Sequence, residues 1–220
     1  MKFHIITLFP EAVLPYLNSS MLWKAQKDKK IFVKVINPRD FSKDKHKKVD
    51  ARSYGGGPGM VLQAEPILSA IRKSRITNHK SLTIILSPRG KQFTNTLAGN
   101  WTRNYKNIIL IAGHYEGIDA RVKKILKAKE ISVGPYTLTG GELPAMVIVD
   151  AISRRLPGVL GKYESLEESR VSTASGEVYT RPEVLKWPPS KRSKKTKNYK
   201  VPKVLLSGNH KEIEAWRSKT

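Results

Sequence analysis

Ser132-Val133-Gly134-Pro135-Tyr136-Thr137-Leu138-Thr139-Gly140-Gly141-Glu142-Leu143-Pro144-Ala145-Met146 is the stretch on which the reading of the fold turns. An apolar strand end meets Gly134 and Pro135, a short linker reaches Gly140 and Gly141, and Pro144 opens an apolar helix. Paired glycines at a strand-to-helix junction let a backbone approach a ligand closely, because no Cβ intervenes. Proline fits the first turn of a helix, where its missing N–H costs nothing. The segment reads either as a plain tight turn or as a loop that holds something against main-chain atoms.

Working outward, the same arrangement repeats. Lys2 to Phe9 is an apolar run ended by Pro10, which predicts a buried strand and then a helix over Glu11 to Ala25. Ile31 to Ile36 predicts a second strand, and Gln63 to Ser74 a helix with Pro66 in its first turn. Leu82 to Leu86 is apolar and is broken by Ser87-Pro88-Arg89-Gly90. Asn107 to Ala112 breaks at Gly113, and Ile131 to Gly134 is a third strand end of this kind. Continuous apolar strands alternating with helices predict an α/β fold whose mainly parallel sheet is covered on both faces. Ligands of open α/β sheets bind beyond the carboxyl ends of the strands. The loops after Leu86, Ala112 and Val133 are therefore expected to line one crevice.

The rest of the chain is polar and basic. Phe41 to Met60 reads as a long Gly-rich loop, a length that is usually functional or disordered. Pro144 to Leu156 predicts a helix with Arg154 and Arg155 in its last turn. Gly161 to Gly176 has no clear period and reads as a linker or lid. Lys186 to Lys203 holds eight Lys or Arg and no acid, and Lys211 to Lys219 predicts a last helix with Ile213 and Trp216 on one face.

The 220 residues carry 41 Lys and Arg against 18 Asp and Glu, a net charge of +23. That excess points to a polyanion, with nucleic acid ahead of an anionic membrane. The absence of cysteine removes disulfides, thiolate metal sites and a Cys nucleophile. No apolar run reaches a membrane span or a signal peptide, so the expectation is a soluble, cytoplasmic protein.

Motifs narrow the chemistry. There is no GxxxxGK[ST], and Gly57-Pro58-Gly59 does not extend to GxGxxG, which removes P-loop and Rossmann fingerprints. The five histidines form no metal-ligand pair. His46, Asp50, Arg52 and Tyr54, leading into Gly55, Gly56, Gly57 and Gly59, read either as a solvated loop or as an RNA contact: cations for phosphate, Tyr54 to stack, glycines for close approach. Gly113-His114-Tyr115-Glu116-Gly117-Ile118-Asp119 suits a ligand with a flat face and polar edges, with Asp119 capping the next helix.

These residues stand in the order of a known family: Leu8-Phe9-Pro10-Glu11, Asn37-Pro38-Arg39-Asp40-Phe41, Tyr54-Gly55-Gly56-Gly57-Pro58-Gly59-Met60, Leu86-Ser87-Pro88, Tyr115-Glu116-Gly117-Ile118-Asp119, Leu138-Thr139-Gly140-Gly141-Glu142-Leu143-Pro144-Ala145-Met146 and Leu206-Ser207-Gly208. The chain closely resembles bacterial tRNA (guanine-N1)-methyltransferases of the TrmD type over essentially its whole length. The resemblance implies a SPOUT fold: an α/β domain over residues 1–160 with a deep C-terminal trefoil knot, a linker over 161–178, and a small helical tRNA-binding domain over 179–220. It implies S-adenosylmethionine as methyl donor, held by Leu86, Ser87, Pro88, Gly113, Tyr115, Glu116, Gly117, Ser132, Val133, Gly134, Pro135, Tyr136, Thr137, Leu138, Gly140, Gly141 and Pro144. It also implies a homodimer with sites at the interface, and a magnesium ion whose ligands the sequence does not display. The methyl would go to N1 of the guanosine just 3′ of the anticodon (position 37), with Arg154 opposite the charge that builds on O6.

The sequence departs from the family at four places. Where the family has its general base, an aspartate in a Glu-Glu-Asp-Ser run, this chain reads Glu167-Glu168-Ser169-Arg170. Serine is a very poor base. Glu168 or Glu167 therefore replaces the aspartate, or activity is low, or the protein binds tRNA without methylating it. A methyltransferase for another guanosine stays open as well. Pro135 stands where the family usually has aspartate, a Lys-rich insert runs from Ser190 to Lys200, and the C-terminal domain is short.

Overall fold

The computed structural model describes residues 1–76, 80–160, 177–187 and 197–217, and the chain divides into two compact units, Met1–Ser165 and Leu166–Thr220. In the first unit a five-stranded sheet is built from β1 (Lys2–Ile6), β2 (Phe32–Ile36), β5 (Ser81–Gln92), β6 (Asn107–Ala112) and β7 (Lys129–Ser132). The order is β2-β1-β6-β5-β7 and every pairing is parallel. Fully apolar strands demand cover on both faces, and alternation along β6 shows how it is met. Ile108 and Leu110 enter one core with Phe3, Ile5, Ile84 and residues of α1 (Pro10–Leu17), α2 (Ser20–Lys27), α4 (Asn95–Asn104) and α6 (Glu142–Ser153). Ile109 and Ile111 enter the other, against α3 (Ala64–Lys73) and α5 (Ala120–Leu126).

Three expectations shift. The helix expected over Glu11 to Ala25 is two helices, broken at Asn18-Ser19, with Ser20 at φ +48°. The break expected at Ser87 to Gly90 is a bulge inside β5: Leu86 and Lys91 both face Ile131, so the strand loops out and returns to the same partner. The long loop holds a short ladder, β3 (Asp50–Ala51) against β4 (Val61–Leu62), preceded by a 3-10 helix at Pro38–Phe41. Among the described residues the second unit has an antiparallel hairpin, β8 (Val184–Trp187) with β9 (Lys197–Lys200), and two short helices, α7 (Lys203–Leu206) and α8 (His210–Arg217). The expected small helical domain thus carries a hairpin as well. Trp216 of α8 packs its ring 6.1 Å from that of Tyr179.

His4 of β1 is 5% exposed, and its Nδ1 makes no hydrogen bond among the described residues. Burial, then the charges of Lys34 and Lys2, pushes its imidazole down to about 4. The folded chain therefore holds His4 neutral, while the unfolded chain takes up a proton below pH ~6.5. Stability is full above that value and is lost as pH falls through 4, by about 3 kcal/mol from this group. Urea midpoints at pH 7 and 4.5 are expected to converge in His4→Leu relative to the unsubstituted chain; an unchanged difference contradicts this account.

Candidate active site

The bulge of β5 and the carboxyl ends of β6 and β7 open into one cavity of about 990 Å³. Ile85, Leu86 and Ile131 form an apolar floor; Ser87 to Arg89, Gly113 to Asp119, and Ser132, Val133 and Tyr136 to Gly141 form the walls. Such a cleft is of the size that buries a nucleoside-bearing ligand. Of the residues expected to hold the cofactor, Leu86, Ser87, Pro88, Gly113, Tyr115, Glu116, Gly117, Ser132, Val133, Tyr136, Thr137, Leu138, Gly140, Gly141 and Pro144 line it. Gly134 and Pro135 do not. Gly134 is buried beneath the ring of Tyr136, with its carbonyl accepting from Ser132 Oγ at 2.8 Å, and Pro135 is on the exposed outer side of the turn.

Backbone packing sets the wall's position. The Gly141 N–H donates to the Gly113 carbonyl at 2.8 Å, drawing the loop before α6 onto the end of β6. A Cβ at Gly141 would sit 2.6 Å from Ala112 Cα and 2.8 Å from the Gly113 nitrogen. Its φ of −85° is ordinary, so close approach rather than backbone strain requires the glycine.

A buried network that the sequence did not reveal supports this wall. Thr7 at the end of β1 donates to Glu142 Oε1 at 2.6 Å, and Glu142 Oε2 lies 3.9 Å from His114 Nδ1. The His114 ring in turn packs tilted against Phe9, with centroids 4.9 Å apart, and edge-on to Tyr115 at 5.0 Å. The Glu142 carboxylate thus ties the end of β1 to the first turn of α6, where the helix dipole favours negative charge, while His114 beside it makes no hydrogen bond through Nδ1 among the described residues. No local motif signals it, because Thr7 and Glu142 are 135 positions apart.

The glycine-rich loop is stitched to the same wall. The Glu116 N–H donates to the Met60 carbonyl at 3.0 Å, the Leu62 N–H to Gly117 at 2.9 Å, and the Asp119 N–H to Leu62 at 2.9 Å. Gly59, at φ +77°, lies so close to Glu116 that a Cβ would meet its side chain at 2.6 Å. Gly55, Gly56 and Gly57 continue the loop with positive φ, and Tyr54 is fully exposed. His46 and Arg52 are exposed, and Asp50 is half-buried in β3. The preceding turn is held by Asp44 Oδ1, which accepts from the N–H groups of His46 and Lys48; those bonds hold its carboxyl below the usual range.

Charge around the rim is mixed. Asp119 caps α5 by accepting from the Arg121 N–H, and its side-chain bond to the Arg121 guanidinium at 2.6 Å lowers its pKa. Lys123 pairs with Glu130 at 2.7 Å, while Lys124, Lys127 and Arg89 also border the cavity. Arg154 does not. It is the C-cap of α6, ten residues and so about 15 Å along the helix from Pro144, which lines the cleft. Glu167, Glu168 and Ser169 lie outside the described residues.

The first unit is thus an α/β domain with a glycine-walled cleft at its strand ends, in a strongly basic chain. The family model for tRNA (guanine-1)-methyltransferase TrmD matches residues 1–220, and the chain belongs to that family. Curated relatives bearing the name tRNA (guanine-N(1)-)-methyltransferase include that of Carboxydothermus hydrogenoformans, 46% identical over 219 residues, covering 100% of this chain and 82% of the relative. The Clostridioides difficile protein is 44% identical over 220 residues (99% and 90% covered), and the Buchnera aphidicola protein 44% over 217 (99% and 88%).

Proposed function

We propose that the chain transfers a methyl group from S-adenosylmethionine to N1 of the guanosine 3′-adjacent to the anticodon of tRNA, position 37, in the cytoplasm. The observation that carries this reading is the cleft in which three strand-end loops of a family member converge on glycines packed backbone to backbone. The residues fit the donor. Leu86, Pro88, Val133 and Leu138 offer apolar contact for a purine, strand-end amides and carbonyls offer polar partners, and Glu116 offers negative charge for a cationic ligand. S-adenosylmethionine supplies the methyl on a positively charged sulfur, so the leaving group needs little assistance.

The burden falls on the guanine. Its N1 carries a proton at neutral pH, which a base must remove as charge builds on O6. Arg154 holds O6, and Glu168 takes the proton in place of the aspartate for which this chain has Ser169. Because Arg154 is at the far end of α6 from the cleft, it serves the cleft of a second copy. Exposed apolar side chains on the helices of the first unit support this dimer. Leu143 and Val147 of α6, Leu14 of α1 and Met21 and Trp23 of α2 are exposed apolar side chains. Tyr16 donates to Asp150 at 2.5 Å between α1 and α6. A two-fold pairing of α6 against itself would bring the partner's Arg154 toward the cleft.

The trefoil knot belongs to the same reading, supported by β5 lying between β6 and β7 while the loop before α6 is drawn back onto Gly113. The first unit holds the donor, residues 161–178 are the linker, and the basic second unit grips tRNA. His46, Asp50, Arg52, Tyr54 and the adjoining glycines contact the anticodon arm. Among the described residues no three His, Cys, Asp or Glu side chains gather to hold a metal ion, so no step is assigned to magnesium.

Ser169 favours one second reading, a homologue that binds tRNA with catalysis lost. Glu168→Gln and Ser169→Asp separate the two. An active chain is expected to lose about 10²–10³-fold of its single-turnover rate in Glu168→Gln, in line with removal of a general base. Unchanged turnover removes Glu168 from that role. An inactive chain that gains activity only in Ser169→Asp establishes the second reading.

A further inference from the structure

The β8–β9 hairpin has two unlike faces. Its register pairs Leu185 with Tyr199 and Trp187 with Lys197. Directly opposed residues, and alternate residues along a strand, share a face. Leu185, Trp187, Lys197 and Tyr199 therefore stand on one side, and Val184, Lys186, Asn198 and Lys200 on the other. Trp187 is 58% exposed, Leu185 51% and Tyr199 50%. Trp187 and Tyr199 are diagonal neighbours, about 7–8 Å apart along such a ladder, and Lys197 Nζ lies over the Tyr199 ring at 5.4 Å from its centroid. The surrounding sequence, Lys186 to Lys203, contains eight cations and no acid.

We propose that this face is a stacking platform for an unpaired nucleotide of the tRNA, with neighbouring phosphates held by Lys197 on this side and by Lys186 and Lys200 on the other. The proposal rests on the tRNA reading above and adds to it a base-contacting surface outside the quoted family motifs. Large exposed aromatic faces beside a cluster of cations match a nucleic acid that offers both a π-face and a phosphate. Duplex RNA hides its base faces, so the occupant is a single-stranded loop or end. A protein partner would need its own dense acidic surface to approach these lysines, which makes it the less favoured occupant.

The test is binding of an unmodified tRNA transcript to the full chain across a salt series, with methyl transfer measured in parallel. Trp187→Ala/Tyr199→Ala is expected to weaken tRNA affinity by about tenfold or more, with the slope of log affinity against log salt unchanged. Trp187→Phe/Tyr199→Phe, which keeps the rings, should bind like the unsubstituted chain; weakened binding there overturns stacking. Lys186→Ala/Lys200→Ala should flatten the slope by about 1.5. Unaltered tRNA affinity in the alanine pair overturns the proposal, and a shift of that variant toward monomer reassigns the face to protein contact. If the unsubstituted chain binds and methylates tRNA while the alanine pair binds equally well, only the platform falls. If the unsubstituted chain does not bind tRNA, the tRNA reading falls with it.

Discussion

Arg154→Ala is expected to lower the rate of methyl transfer by about 10²–10³-fold, the loss that follows removal of one preorganised donor from a developing oxyanion. Affinity for S-adenosylmethionine should be unchanged, because Arg154 is at the C-terminal end of α6 and does not line the cavity formed at its N-terminal end. The fold should survive as well, since a cation at a helix C-terminus contributes only about 0.3–1 kcal/mol. Calorimetric titration with S-adenosylmethionine beside single-turnover transfer separates the two roles. Loss of donor binding would make Arg154 structural.

Gly141→Ala is expected to have the opposite signature. A methyl group there meets Ala112 Cα at 2.6 Å and the Gly113 nitrogen at 2.8 Å, and neither is a side chain that can swing aside. The loop must lift, which breaks the Gly141–Gly113 hydrogen bond and displaces the wall from Leu138 to Gly141. The expected result is loss of S-adenosylmethionine affinity by about 100-fold or more, with a stability cost of about 1–3 kcal/mol for the overpacking. Titration calorimetry and a denaturant series check both; donor binding at the unsubstituted level would mean that this wall does not hold it.

The two variants together test the dimer. If each cleft takes its glycine wall from one copy and its arginine from the other, mixing Gly141→Ala with Arg154→Ala chains restores one intact site per mixed dimer. Random mixing then gives about a quarter of the unsubstituted activity. If both residues act within one copy, the mixture stays inactive.

Much of this was legible in the sequence because parallel strands buried on both faces are continuous apolar runs. Asn107 to Ala112 reads as a strand and is one to the residue, and Ile31 to Ile36 is one within a residue. The loops after them were legible because glycine clusters mark where backbones meet. Other features are decided by tertiary partners. Ser87-Pro88-Arg89-Gly90 has the composition of a terminator, yet β5 continues because Lys91 regains Ile131 on β7. α4 has a weak apolar stripe and is fixed by Ala98 and Trp101 entering the core and by the Thr94 cap. The hairpin strands Val184–Trp187 and Lys197–Lys200 are four residues each, too short to show a period, and part of the Lys-rich insert is strand β9. The separation of Arg154 from the cleft is a fact of helix length, which the sequence motif alone does not display.

The most direct test of the account is to incubate the chain with S-adenosylmethionine and an unmodified tRNA bearing guanosine 3′ of the anticodon, then digest the product and map the methyl by mass spectrometry. The account predicts N1-methylguanosine at that position and none in a tRNA carrying adenosine there. A methyl on another atom or another guanosine, or no product from a chain that binds both ligands, would contradict it.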